Sequence, residues 1–179
     1  DRPMRMNSSL AQLCAPALIA IGIWASATPA QAVETLAKHA ILIDVTTGAV
    51  LMEKDADTAT APASMSKIMM LFMIFERLAE GSLTMDDTFA VSEKAWRMGG
   101  SKMFVGVNTR VSISDLLRGV IVQSGNDASI VIAEGLASSE ANFAVEMTER
   151  AYELGLTNSV FKNTTGWPEE GHVMSARDI

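Results

Sequence analysis

Ser64 and Lys67 stand three residues apart at the head of an almost wholly apolar run, Ser64-Met65-Ser66-Lys67-Ile68-Met69-Met70-Leu71-Phe72-Met73-Ile74-Phe75. On a helix, residues at i and i+3 share a face, so this spacing brings the lysine amine within reach of the serine hydroxyl. An unactivated serine is a weak nucleophile, and an adjacent base is the usual remedy. Lys67 is the only charge between Ser64 and Phe75. Desolvation and the positive end of a helix dipole both disfavour its ammonium form, lowering its pKa toward a range where the free amine takes a proton. The same residues admit a plainer role, because serine is a good helix cap. A capping serine, however, prefers glutamate or glutamine three residues on, and that place holds Lys67.

Ser124-Gly125-Asn126 offers a second hydroxyl to relay protons and a carboxamide to hold a substrate amide. Turn geometry explains the same residues, with Gly125 ending one helix and Asn126 or Asp127 capping the next. His39 and His172 have no histidine or cysteine partner at ligand spacing, so no metal site is expected. The 12 methionines read mostly as core filler, and Trp96 and Trp167 are adequately explained by packing.

Several elements must position these groups. Ala40–Val45 and Ala49–Met52 flank Thr46-Thr47-Gly48 and read as a β-hairpin. A loop follows over 55–63, then a helix from Ser64 to Glu80 that stops at Gly81. With almost no polar face, that helix is expected to be buried at the centre of the fold. Thr88–Val91 suggests a short strand. Further helices are predicted from Ser112 to Val122, from the turn at Ser124–Asp127 to about Leu136, and from Ser139 to Leu154 with Gly155 as its stop. Ser159–Lys162 reads as another strand and 163–173 as turn-forming. A hairpin followed by helices points to an α+β domain whose sheet is completed elsewhere.

At 179 residues, with 49% hydrophobic and 20% charged residues, the chain suits one globular domain. Its net charge of −7 and lack of basic runs argue against nucleic-acid binding. Arg2 and Arg5, the apolar stretch Leu13–Ala27 and the small residues of Ala30-Gln31-Ala32 read as a signal peptide over 1–32, cut after Ala32. The apolar part is short for a membrane span. Cys14, the only cysteine, lies in this leader, so the mature chain has neither disulfide nor thiol nucleophile. Met4 and Met6 are both candidate starts, and the chain reads as cut at both ends.

Four blocks in order resemble the serine D-alanyl-D-alanine carboxypeptidases, the low-molecular-weight penicillin-binding proteins. They are Pro62-Ala63-Ser64-Met65-Ser66-Lys67, Gly99-Gly100-Ser101-Lys102-Met103-Phe104, Ser124-Gly125-Asn126-Asp127, and Gly166-Trp167-Pro168 with Gly171-His172 and Ala176-Arg177-Asp178. The likeness runs from about Lys38 to Ile179. It implies a β-lactamase/transpeptidase-like α+β fold over 33–179: an antiparallel sheet packed on helices, with a helical subdomain, truncated before the last sheet strands. It further implies Ser64 as the acylated nucleophile, Lys67 as its general base, and Ser124 as the proton relay to the leaving D-alanine. Asn126, with Gly125 beside it, would orient the substrate peptide, and His172 would sit on a loop edging the cleft. The implied partners are peptidoglycan pentapeptide side chains and acylating β-lactam antibiotics, with no metal or organic cofactor. The implied location is the periplasm or the outer face of the cytoplasmic membrane, with attachment through a C-terminal tail past Ile179.

The family's lysine-threonine-glycine motif is absent from these residues, and Asn163-Thr164-Thr165-Gly166 has no lysine to replace it. Two rival readings share the serine and lysine. A class A β-lactamase would place a deacylating glutamate after the second motif, roughly where Glu169 and Glu170 lie. A noncatalytic wall-binding or β-lactam-sensing domain would keep the groove without needing the base.

Overall fold

The computed structural model describes residues 34–179; the expected leader over 1–32, with Cys14, lies outside the described residues. The hairpin forms as expected, with β1 (Ala40–Ile43) antiparallel to β2 (Val50–Lys54) and Leu42 opposite Met52. Its turn is shaped by Asp44, whose carboxylate accepts the Thr46 N–H, and by Gly48 in the left-handed region at φ 74°.

After Pro62 the chain makes a single 3₁₀ turn, Ala63–Met65, and only then enters α1 (Ser66–Glu80). The helix expected from Ser64 thus starts two residues later, and it ends at Gly81 with φ 76° as expected. It buries Met69, Met70, Met73 and Ile74 but leaves Ile68, Phe72 and Phe75 exposed. Among the described residues α1 is therefore covered on one face only, where burial on all sides was expected.

The central helix is α4 (Asn126–Ala137), in which every residue from Asn126 to Ala133 is buried. Its small and β-branched side chains let α3 (Ile113–Gln123), α5 (Glu140–Glu153) and β3 (Thr88–Ala90) pack against it. At Gly135 there is no room for a side chain, since a Cβ there would lie 2.2 Å from the Phe89 ring. The core of Met70, Ile74, Ile113, Leu116, Ile130, Ile132, Phe143 and Met147 fills the space between these helices.

Serines start three of the helices. Ser112 accepts from Asp115 N at the start of α3, Ser139 from Asn142 N at α5, and Ser92 from Ala95 N at α2 (Glu93–Arg97), a short helix the sequence reading missed. β3 pairs antiparallel with β4 (Arg110–Ser112), too short for an alternating pattern to be visible. The strand expected at 159–162 reduces to one bridge, Val160 with Val173, near a second between Thr60 and Met174.

Arg150 pairs with Glu76 and Arg77 with Glu146, tying α1 to α5. Arg177 bonds to Asp57 and Glu53, and Asp178 accepts from Asn158 N and the Ser159 hydroxyl. The Ala176-Arg177-Asp178 block therefore fastens the last residues to β2, to the loop that follows it and to the 158–159 segment. No helix among the described residues is long and apolar enough to cross a membrane.

Candidate active site

Ser64 is exposed in the 3₁₀ turn, and Lys67 lies beneath it, 3% exposed. The Lys67 Nζ donates to Ser64 Oγ at 3.1 Å, to Asn126 Oδ1 at 2.8 Å and to the Thr165 carbonyl at 2.6 Å. An ammonium has a proton for each. A neutral amine has two N–H groups and one lone pair, and the two carbonyl oxygens can only accept. They therefore retain the protons and leave the lone pair facing the one partner that can donate, the Ser64 hydroxyl. The Asn126 amide is oriented for this by its own Nδ2, which donates to the Gly99 carbonyl at 2.9 Å. Burial pulls the Lys67 pKa from 10.5 down to about 8. The capping role open to Ser64 is not observed: Met65 occupies the N-cap place of α1 with no side-chain bond.

The turn carrying Ser64 is held in an uncommon conformation. Ala63 has φ 49°, which costs a non-glycine residue about 1–3 kcal/mol. Two neighbours hold it there. The Ser66 hydroxyl donates to the Ala63 carbonyl at 3.0 Å, and Gly166 lies so close that a Cβ on it would sit 1.7 Å from that oxygen. Gly166 belongs to a loop wrapped on Asn163, whose Oδ1 accepts from the Thr165 hydroxyl, Gly166 N and Trp167 N. Glu140, buried, accepts from both the backbone N–H and the hydroxyl of Thr164 and from Lys94. Sequence reasoning treated 163–166 only as turn-forming; its Asn-led turn was visible, its service to Lys67 was not.

At the second motif the left-handed residue is Ser124 (φ 53°), not Gly125 (φ −60°). Gly125 is instead short of space, with a Cβ expected 3.1 Å from both Asp127 Oδ1 and the Gly119 carbonyl. Asp127 is fully buried and accepts the N–H groups of Met103, Phe104, Val105 and Ala128. With Asn126 N donating to the Ser101 carbonyl, this pins the Gly99–Val105 segment against the motif. Asn126 is thus joined to Lys67 and Ser64. Ser124 is half-buried, and none of the hydrogen bonds among the described residues involves its hydroxyl.

His172 lies inside the protein instead of at the cleft edge, 3% exposed and bonded to Ser66 and to the backbone at 162–163. Burial lowers its pKa, and the nearby Glu169 and Glu140 partly oppose this. Glu169 accepts from Asn163 Nδ2 at 3.1 Å and borders a cavity of about 520 Å³ with Lys94, Arg97 and Trp167; it bonds to neither Ser64 nor Lys67. Among the described residues no three or more His, Cys, Asp or Glu side chains converge as metal ligands.

A family model described as D-alanyl-D-alanine carboxypeptidase matches residues 25–179. The Bacillus subtilis (strain 168) D-alanyl-D-alanine carboxypeptidase DacF is 45% identical over 143 residues, 80% of this chain and 37% of its own length. Among solved structures, the Francisella tularensis D-alanyl-D-alanine carboxypeptidase DacD superposes with TM-score 0.81 at 35% identity, covering 84% of this chain and 36% of that one. Penicillin binding protein 5 from Haemophilus influenzae gives TM-score 0.78 at 35% identity, covering 84% and 44%. The fold is thus the α+β arrangement of penicillin-binding proteins. The chain spans little more than a third of the length of the D-alanyl-D-alanine carboxypeptidases it matches, such as DacF at 37%.

Proposed function

This chain belongs to the D-alanyl-D-alanine carboxypeptidase family, and on that premise we propose that the protein is an exported serine hydrolase removing the terminal D-alanine from peptidoglycan pentapeptides. The observation that carries the reading is the Lys67 amine, buried and bonded to two groups that can only accept, with its remaining valence on Ser64.

Ser64 Oγ attacks the carbonyl carbon of the penultimate D-alanine while its proton passes to Lys67 Nζ, leaving a tetrahedral oxyanion. The Ser64 backbone N–H supplies part of the stabilisation of that charge. The C–N bond then breaks, and the departing D-alanine nitrogen takes the proton through Ser124. Asn126 Nδ2 already bonds Gly99, so substrate meets the Asn126 side chain beside an existing hydrogen bond and not in its place. Water hydrolyses the resulting ester, with Lys67 again able to take a proton. A β-lactam acylates the same serine by opening its ring amide, and its amine stays tethered.

Deacylation separates this reading from its rivals. None of the hydrogen bonds of Lys67 among the described residues is to a carboxylate, and Glu169 accepts from Asn163 and bonds to neither Ser64 nor Lys67. That supports slow release of a penicilloyl group. The test is labelling of the full gene product with a fluorescent penicillin, followed by timing of label loss. Label that persists and is absent in Ser64→Ala, together with D-alanine release from a pentapeptide, is the expected result. Rapid turnover of the label would transfer the reading to a β-lactamase, and no labelling would transfer it to a noncatalytic binding domain.

A further inference from the structure

The two ring nitrogens of His172 join the two segments that hold Ser64 and Lys67. Nδ1 faces two backbone donors, Lys162 N at 3.1 Å and Asn163 N at 3.4 Å, so it accepts. The proton of the neutral ring is therefore on Nε2, which donates to Ser66 Oγ at 2.7 Å. The Ser66 hydroxyl spends its own proton on the Ala63 carbonyl. One arm of this chain of bonds ends on the residue before Ser64, in its left-handed conformation. The other ends at Asn163, the residue on which the loop bearing the Thr165 carbonyl is wound.

We propose that His172 is a positioning residue that locks the Ser64 turn against the 163–166 loop, so that the Lys67 amine and the Ser64 hydroxyl are held in register for proton transfer. The proposal rests on the reading of Ser64 and Lys67 as nucleophile and base. The ring packs edge-on to Phe161, centroids 5.8 Å apart, and is 3% exposed, so it acts through Ser66 and the loop instead of touching substrate. The charged groups that act on the ring are Glu169 and Glu140, and the Lys162 side chain passes beside the adjoining Gly171. Lys67 itself faces the Ser64 hydroxyl, the Asn126 carboxamide and the Thr165 carbonyl, none of them titratable near neutral pH.

Glutamine carries one donor and one acceptor that can serve the same partners, Nε2 for Ser66 and Oε1 for the backbone, whereas alanine supplies neither. The experiment measures the second-order rate of acylation by a fluorescent penicillin from pH 6 to 10 in the full gene product and in H172A, H172Q and S66A, with thermal unfolding of each. Misplacement of reacting groups by about an ångström costs about 100-fold. H172A is expected to lose about 10- to 100-fold in rate and to shift its pH inflection upward as water reaches Lys67. H172Q should stay within about threefold of the parent with the inflection unmoved. S66A, which cuts the link and spares the ring, should lose about 3- to 10-fold with an upward shift, and it decides the matter if H172A does not fold. Parent-like rate and inflection in H172A, or in S66A, would overturn the positioning role, as would H172Q failing while folded. A parent protein that does not label at all would instead overturn the nucleophile reading, and this proposal with it.

Discussion

Replacing Asn126 with aspartate changes the charge beside Lys67 while keeping the shape of the side chain. The Asn126 Oδ1 lies 2.8 Å from Nζ, so Asn126→Asp sets a carboxylate in direct contact with the amine. An opposite charge at this range favours the charged form by about 1–3 pKa units. Taking about 2 units, the Lys67 pKa returns from about 8 to about 10. At pH 7.5 the neutral fraction then falls from about one quarter to about 0.3%, a factor of about 80. At pH 10 the two proteins differ only about twofold. The assay is the rate of acylation by a fluorescent penicillin against pH, in the full gene product. The expected signature is a defect of about 80-fold at pH 7.5 that closes almost completely at pH 10. A constant loss from substrate contacts would offset the whole curve without moving its inflection. An inflection that does not move, or a defect equal at every pH, would refute the assignment of Lys67 as the neutral base.

Gly166→Ala should abolish acylation and destabilise the protein by about 2–4 kcal/mol in chemical denaturation, because a Cβ would fall 1.7 Å from the Ala63 carbonyl and the residue has φ 79°. Gly135→Ala meets the Phe89 ring at 2.2 Å, far from Ser64 in the fold's packing, so it should lower Tm while the folded fraction acylates at the parental rate. Stability should also carry a His172 signature. Burial lowers the pKa of the folded ring, so its contribution is complete above about 6.5 and is lost as pH falls from there through the lowered value. Denaturation from pH 8 to 5 should show this loss, and H172Q should flatten it.

The helices were legible because their punctuation is local. Ser112 and Ser139 announce starts, Gly81 and Gly155 announce stops, and each acts within one turn of its own position. The pairing of Ser64 with Lys67 was legible for the same reason, being an i to i+3 relation. Contacts of long sequence separation were not. The Thr165 carbonyl reaches Lys67 across nearly a hundred residues, and nothing in Asn163-Thr164-Thr165-Gly166 announces that partner. Nor does composition alone say which apolar helix is central. The segment at 66–80 is greasier to the eye, yet 126–137 carries the smaller side chains that allow neighbours on every side. The cleft-edge place of His172 rested on the resemblance alone, and the backbone donors at 162 and 163, far from any local signal, draw it inward.

Among the groups gripping the Lys67 amine, the nearest, at 2.6 Å, is main chain. No codon change deletes a main-chain oxygen. Substitutions at Thr165 should therefore reach the amine only through loop shape, which the buried Thr165 hydroxyl itself helps to set by donating to Asn163 Oδ1 and accepting from Trp167 N. To loosen this one contact, a mutation has to alter loop shape, a narrower route than trading away a side chain such as Asn126.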